Sequence, residues 1–286
     1  MDRKDTTFLK NLSFENRGKR QTIQYPSIMG ILNITPDSFY DGGKYLSEKL
    51  VLERVNVMLN EGADIIDIGA YSSRPGASDI SVKEEQTRIN QFLPIISKEF
   101  PNAVLSIDTF RSSVADMAVN QGASIVNDIS AGTADIGMMK KVAELKVPYI
   151  LMHMKGNPAN MQKNTDYSNV KSEVFNFLSE RVKEAEISGI KDIVIDPGFG
   201  FGKNLNQNYE LLKALKEFKT LNRPILVGLS RKSMINNLLG VTPEKALNGS
   251  TVLNTIALLN GASILRVHDI KEAKEAMKIV SFIQKV

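Results

Sequence analysis

At 286 residues, 42% hydrophobic and 24% charged, the chain has the make-up of an ordinary globular protein and the length of one large domain or two small ones. It has no cysteine, which excludes disulfides, zinc thiolates and thiol nucleophiles and suits a reducing cytoplasm. The net charge of +4 is mild, no dense Lys/Arg block interleaves with aromatics, and no apolar run nears the about 18 residues of a membrane span, so a small anionic substrate is expected rather than nucleic acid or a membrane.

Residues 1–27 are polar and mixed, start without the apolar core of a signal peptide, and read as an N-terminal extension or hairpin with a turn at Asn16-Arg-Gly-Lys19. The first buried run, Ile28-Met-Gly-Ile-Leu32, ends at Asn33 and opens the polar loop 34–43. Ser47 is placed to cap a helix in which Leu50, Val51, Val55, Met58 and Leu59 recur at helical spacing, closed by Gly62. Ile65-Ile-Asp-Ile-Gly69 follows, then a second polar loop, Tyr71-Ser-Ser-Arg-Pro-Gly76, and the capping-box spelling Ser81-Val-Lys-Glu84. Strands are next expected at 104–108 and 124–127, helices near 112–120 and 135–145, a strand at 148–153 and a helix near 168–188. Ile193, Val194 and Ile195 make a strand that stops at Asp196, where Pro197 and Gly198 bar further sheet. The last strands are 225–229 and 264–268, with helices near 243–260 and 270–285.

Eight short buried strands alternating with helices predict parallel βα units, and eight such units close a (β/α)8 barrel. With no linker or low-complexity stretch, the expectation is one barrel domain over 28–286 behind the extension 1–27.

In a barrel of this kind the site forms where the strands end. Those ends are Asn33, Asp67, Asp108, Asn127, His153, Asp196, Ser230 with Arg231 and Lys232, and Arg266 with His268. A polar residue at a strand end is ordinary, but this set holds three aspartates, two asparagines and the chain's only two histidines. Arg74, Lys232, Arg266 and His268 put positive charge around one mouth, which suits phosphate or diphosphate, although each alone also reads as a solvated charge. Arg266 resists that reading, since it interrupts an apolar strand where an unpartnered charge is costly. Asp108, Asn127 and Asp196 offer the acceptors that a planar heterocycle with a guanidine-like edge requires. Asn33, with Asp37, Ser38 and Asp41 after it, either helps hold Mg²⁺ against a substrate phosphate or belongs to an ordinary loop. Phe199 and Phe201 either wall an aryl pocket or pack their loop, and His153 is open to a reading as a satisfied core histidine.

Taken together the blocks spell a family. Gly30-Ile-Leu-Asn-Ile-Thr-Pro-Asp-Ser-Phe-Tyr-Asp-Gly-Gly43, Asp67-Ile-Gly-Ala-Tyr-Ser-Ser-Arg-Pro-Gly76, Ser106-Ile-Asp-Thr109, Val126-Asn-Asp128, Leu151-Met-His-Met-Lys-Gly156, Asp196-Pro-Gly-Phe-Gly-Phe201, Gly228-Leu-Ser-Arg-Lys-Ser233 and Arg266-Val-His268 resemble the motifs of the dihydropteroate synthases, in order, from about residue 28 onward. The resemblance implies a barrel that joins 6-hydroxymethyl-7,8-dihydropterin diphosphate to 4-aminobenzoate. It implies that Asp108, Asn127, Met152, Asp196 and Lys232 hold the pterin, and that Asn33, Arg74, Arg266 and His268 hold the diphosphate, with Mg²⁺ at Asn33. Ser73, Pro75, Phe201 and Ser230 would form the aminobenzoate pocket, and Asp37 would face the developing cation. Asp37, Arg74, Lys232 and His268 are thus the implied catalytic set, and a homodimer is the implied assembly. Three departures stand out: Ala70 stands where the family more often has a second Gly, Ser73 keeps a hydroxyl where it more often has Thr, and Ala131 replaces a usual Gly. The rival is a pterin domain that presents methyl-tetrahydrofolate to a corrinoid protein. Such a domain would share Asp108, Asn127 and Asp196 but would need neither Asp37, Arg74 nor a diphosphate clamp.

Overall fold

The computed structural model describes residues 11–16, 18–35, 48–72, 79–158, 160–161 and 164–286. Two antiparallel strands, β1 (Asn11–Asn16) and β2 (Lys19–Gln24), form the expected hairpin, with Asn16 paired to Lys19 and Gly18 supplying the left-handed φ of +72° that the tight turn needs.

Eight parallel strands follow: β3 (Ser27–Asn33), β4 (Ile65–Gly69), β5 (Leu105–Asp108), β6 (Ile125–Asp128), β7 (Tyr149–Met152), β8 (Ile193–Asp196), β9 (Leu226–Val227) and β10 (Ile264–Val267). They pair in the order β8-β7-β6-β5-β4-β3-β10-β9, and a parallel bridge between Ile195 and Ile225 joins β8 to β9 and closes the ring. The expected (β/α)8 barrel is therefore the observed fold.

Helices cover the outside. Along α1 (Glu48–Glu61), Val51, Val55 and Met58 face the barrel, and along α5 (Val170–Ile187), Val174, Leu178 and Val182 do the same. These are the one-sided apolar stripes that a helix must bury. Their partners are the outward strand residues, among them Ile28, Leu32, Ile66, Ile68, Leu105, Val126, Leu151, Ile195, Val227 and Leu265. Successive strand residues alternate between faces. The other set, Met29, Ile65, Val104, Ile125, Ile150, Val194, Leu226 and Ile264, fills one end of the interior, and Leu12, Phe14 and Ile23 of the hairpin pack against it. The hairpin is a plug in the end of the barrel where the strands begin.

The remaining helices are α2 (Val82–Glu99), α3 (Ser112–Asn120), α4 (Met138–Leu145), α6 (Leu205–Lys213), α7 (Ser233–Leu239), α8 (Leu247–Leu259) and α9 (Ile270–Ile283). The capping box expected at Ser81 is half made: Ser81 Oγ accepts from Glu84 N at 3.1 Å, but the Glu84 carboxylate takes Arg88 instead. A complete box stands at Asn204–Gln207, opening α6. Ala131 sits at φ +51°, a left-handed position where the usual Gly would carry no Cβ penalty. Ser47, the expected cap of α1, lies outside the described residues.

Candidate active site

Two residues further along four of the strands the barrel interior turns from apolar to polar. On β4 Ile65 gives way to Asp67, on β6 Ile125 to Asn127, on β8 Val194 to Asp196, and on β10 Ile264 to Arg266. The alternation of the pleat that makes the plugged end greasy makes the other end polar.

Arg266 is the hub of this layer. Its Nε donates to Asp67 Oδ2 at 2.6 Å and its Nη2 to Asp108 Oδ2 at 2.7 Å, while Asn127 Nδ2 donates to the same Asp67 oxygen at 3.0 Å. Burial opposes the charge on Arg266, but the two carboxylates outweigh it and hold its pKa above the usual value. Asp67 is wholly buried, and its Oδ1 has no partner among the described residues. Burial pushes Asp108 up to about 7, with Arg266 pulling the other way. Gly69 lies between two groups of this layer: a Cβ there would sit 3.5 Å from Asn33 Oδ1 and 3.7 Å from Asp108 Oδ2.

The loop after β8 is built around Asp196 and a buried lysine. Asp196 Oδ1 accepts from Gly198 N at 2.7 Å. Gly198 is required twice over, since its φ is +70° and a Cβ would fall 1.9 Å from the His153 carbonyl oxygen. Lys203 then donates to His153 Nδ1 at 3.0 Å, Gly198 O at 2.8 Å and Phe201 O at 3.0 Å. Burial drives Lys203 well below the ordinary lysine value and His153 down to about 2. His153, stacked edge-on against Phe177 at 5.0 Å, is the satisfied core histidine. Phe199 is buried and packs the loop, whereas Phe201 lines the cavity with the Lys232 ammonium 4.6 Å from its ring centre.

Lys232 donates to the Phe199 carbonyl, and burial lowers it to about 8 despite the opposing pull of Asp196. Burial also raises Asp196, against Lys232. Arg231, at φ +58°, forks onto Asp269 with contacts of 3.0 and 2.6 Å, and its backbone N–H donates to Ser250 Oγ at 3.0 Å. That clamp ties the tip of β9 to that of β10 and turns Lys232 inward. His268 meets Ser230 Oγ through its Nδ1 at 3.2 Å.

These groups open on a cavity of about 930 Å³ whose lining includes Asn33, Asp108, Phe201, Ser230, Lys232, Arg266 and His268. Seven of the sequence-derived residues thus meet in one space. Asn127, Asp196 and Met152 do not line it, and all three are buried. Asp37, Ser73, Arg74 and Pro75 lie outside the described residues.

Several residues of the site escape the sequence-derived set. Asp67 was visible as a strand end, but its role as partner to Arg266 was not. Lys203 looks like a loop charge, and Asp269 like a helix cap. Ser233 lines the cavity, yet as the third polar residue after Ser230 it carries no signal beyond its motif.

Among the described residues no three His, Asp or Glu side chains converge as a metal cluster. Asn33 offers one amide oxygen at the cavity, a donor set that suits an ion bound mainly through substrate oxygens rather than a protein cage.

A family model described as "Pterin binding enzyme" matches residues 29–268. Dihydropteroate synthase of Escherichia coli K12 is 44% identical over 266 residues, covering 92% of this chain and 94% of that one. The structure of the Yersinia pestis dihydropteroate synthase with a sulfonamide drug complex superposes with a TM-score of 0.89 at 39% identity, over 96% of this chain and 100% of that one. The Xanthomonas albilineans dihydropteroate synthase in complex with 7,8-dihydropteroate does so with a TM-score of 0.86 at 36% identity, again over 96% and 100%.

Proposed function

The chain belongs to the dihydropteroate synthases, within the pterin-binding enzymes, and from that membership we propose how its own residues carry the reaction. The reaction joins 6-hydroxymethyl-7,8-dihydropterin diphosphate to 4-aminobenzoate. The bond from the methylene carbon to the diphosphate oxygen breaks, the aryl nitrogen takes its place, and 7,8-dihydropteroate, diphosphate and a proton leave. The observation that carries this reading is the division of charge across the barrel: carboxylates and an amide at the ends of β5, β6 and β8, cations on β10 and in the turn between β9 and α7.

Asp108, Asn127 and Asp196 present acceptors to the amino-pyrimidine edge of the pterin, and Met152 packs beside them. Lys232 donates to the ring from the opposite side. With Arg266 Nε and Nη2 turned to Asp67 and Asp108, its Nη1 is left for an anion, and His268 follows two residues on, just past the end of β10. Asn33, Arg266 and His268, joined by motif by Arg74, take the diphosphate. Mg²⁺ would sit at Asn33, where it would neutralise the departing diphosphate. Ser230 and Phe201, joined by motif by Ser73 and Pro75, form the wall for the aminobenzoate. Asp37 enters by motif alone, as the carboxylate that faces the cation.

Breaking the carbon–oxygen bond first leaves a methylene cation stabilised by the pterin, to which a weakly basic aryl amine adds. No strong nucleophile is needed, and catalysis is mostly anion stabilisation and positioning in a site closed to bulk water. The absence of cysteine supports a cytoplasmic enzyme. A homodimer is supported by the exposed Val252, Ile256 and Leu259 of α8 and Ile279, Phe282 and Ile283 of α9.

The test is diphosphate release from the pterin diphosphate with Mg²⁺, with and without 4-aminobenzoate. Release that depends on the amine and yields dihydropteroate is expected. Tight pterin binding without turnover would instead favour the methyl-carrier reading.

A further inference from the structure

A second ion-pair system stands beside the site and touches none of the groups assigned to substrate. Glu85, on the first turn of α2, has a side chain with no solvent exposure. Its Oε1 accepts from Thr109 Oγ1 at 2.7 Å and its Oε2 from Arg111 Nη1 at 2.6 Å. Thr109 immediately follows Asp108, and its hydroxyl also accepts from Arg111 N at 3.2 Å. The remaining face of the guanidinium is spent elsewhere: Arg111 Nη2 donates to Ile80 O at 2.7 Å and reaches Asp79 Oδ1 at 3.3 Å. Its flat side lies 5.5 Å from the Tyr71 ring centre and 5.1 Å from that of Phe110, and those two rings meet edge to face at 5.0 Å. Burial raises the Tyr71 hydroxyl above its usual value, and the nearby Asp79 carboxylate adds to that.

Tyr71 and Ser72 leave β4, while Asp79 and Ile80 lead into α2, so both described flanks of the β4–α2 connection converge on one guanidinium. Tyr71 and Ser72 also line the active cavity. A buried ion pair is weak grounds for stability, because well-packed apolar residues of similar size do as well or better. Holding five partners in fixed directions is what the apolar replacement would not do, and what lysine, with a compact ammonium, would do only in part.

We propose that Glu85 and Arg111 are positioning residues for the second substrate: they lock Tyr71 and Ser72, at the mouth, to the tip of β5. This rests on the synthase reading of the site. The pterin anchors Asp108, Asn127, Asp196 and Lys232 keep their own partners whether or not Arg111 is present. Loss of the pair therefore moves the edge over which the aryl amine must be held, and spares the floor beneath the pterin.

The experiment is Arg111→Met, Arg111→Lys and Asp79→Ala in the full chain, with pterin diphosphate affinity measured by calorimetry and steady-state constants by diphosphate release. Arg111→Met raises KM for 4-aminobenzoate by about tenfold or more, since small misplacements at a reacting edge cost that much, and leaves pterin diphosphate affinity within about twofold. Arg111→Lys keeps one ionic contact and falls between it and the wild type. Asp79, with its side chain 78% exposed, can be removed without threat to the fold, so Asp79→Ala raises the same KM even if Arg111→Met does not fold. An unchanged KM in these variants overturns the proposal, as does a pterin affinity that falls in step with KM, which would make the pair a support for Asp108. Turnover by the wild-type chain in the same assay keeps failure of this proposal distinct from failure of the synthase reading.

Discussion

Asp67 shows how much one buried carboxylate can organise. It accepts from both Arg266 and Asn127, and it is the only one of the three that solvent does not reach at all. Asp67→Asn keeps the shape, removes the charge and turns an amide toward the Asn127 amide. Breaking a buried pair in this way costs about 3 kcal/mol. A clear fall in Tm is expected together with loss of diphosphate release, and a variant with wild-type Tm would show that Asp108 alone suffices for Arg266. The titrations of Asp108, about 7, and Lys232, about 8, lead to a second expectation. Asp108 must be ionised to accept from the pterin, so kcat/KM falls as pH drops through its pKa. Lys232 must be protonated to donate and to attract an anion, so kcat/KM falls as pH rises through its pKa. The profile is then a bell, because kcat/KM reports the groups of the unliganded enzyme. In Lys232→Arg the alkaline limb should move up or vanish; an alkaline limb in the same place would assign it to another group.

At the scale of elements, the hairpin and the barrel strands divide the interior. Phe14 packs with Leu12 and Ile23 against the first inward residue of each strand, far from the polar layer. Phe14→Ala should therefore destabilise by about 3–4 kcal/mol, the usual cost of deleting a buried aromatic. Its substrate constants should stay at wild-type values where the protein remains folded. Denaturant unfolding and diphosphate release, measured on one preparation, separate the two effects. Altered substrate constants would mean that the hairpin reaches the site. The strands themselves were legible because β-branched runs such as Ile193–Ile195 stop abruptly at a polar residue. The helices α6 and α7, of 9 and 7 residues, were not read, although α3, no longer than α6, was.

For the whole molecule, the exposed apolar side chains fall mainly on α7, α8 and α9, on one stretch of the helical ring. If that stretch joins two copies, Phe282→Glu places a charge in the interface and shifts the mass seen by light scattering from dimer to monomer. A wild-type monomer at micromolar concentration would remove the dimer reading. The closed ring also explains why distant motifs act together: Arg266 and Asp67 are 199 residues apart in sequence, yet each ends up inside the barrel within hydrogen-bond reach of the other. The sequence by itself determined the eight βα units, the position of polar residues at strand ends and the family, because those features are written in local hydrophobic runs and contiguous motifs. Only the tertiary structure decided that Asp67 neutralises Arg266, that Lys203 rather than substrate occupies His153, that Phe201 and not Phe199 faces the cavity, and that Arg111 gathers both flanks of the β4–α2 connection. Each of those depends on which side chains meet across the barrel, and that is set by strand register and loop path, which no single stretch of sequence encodes.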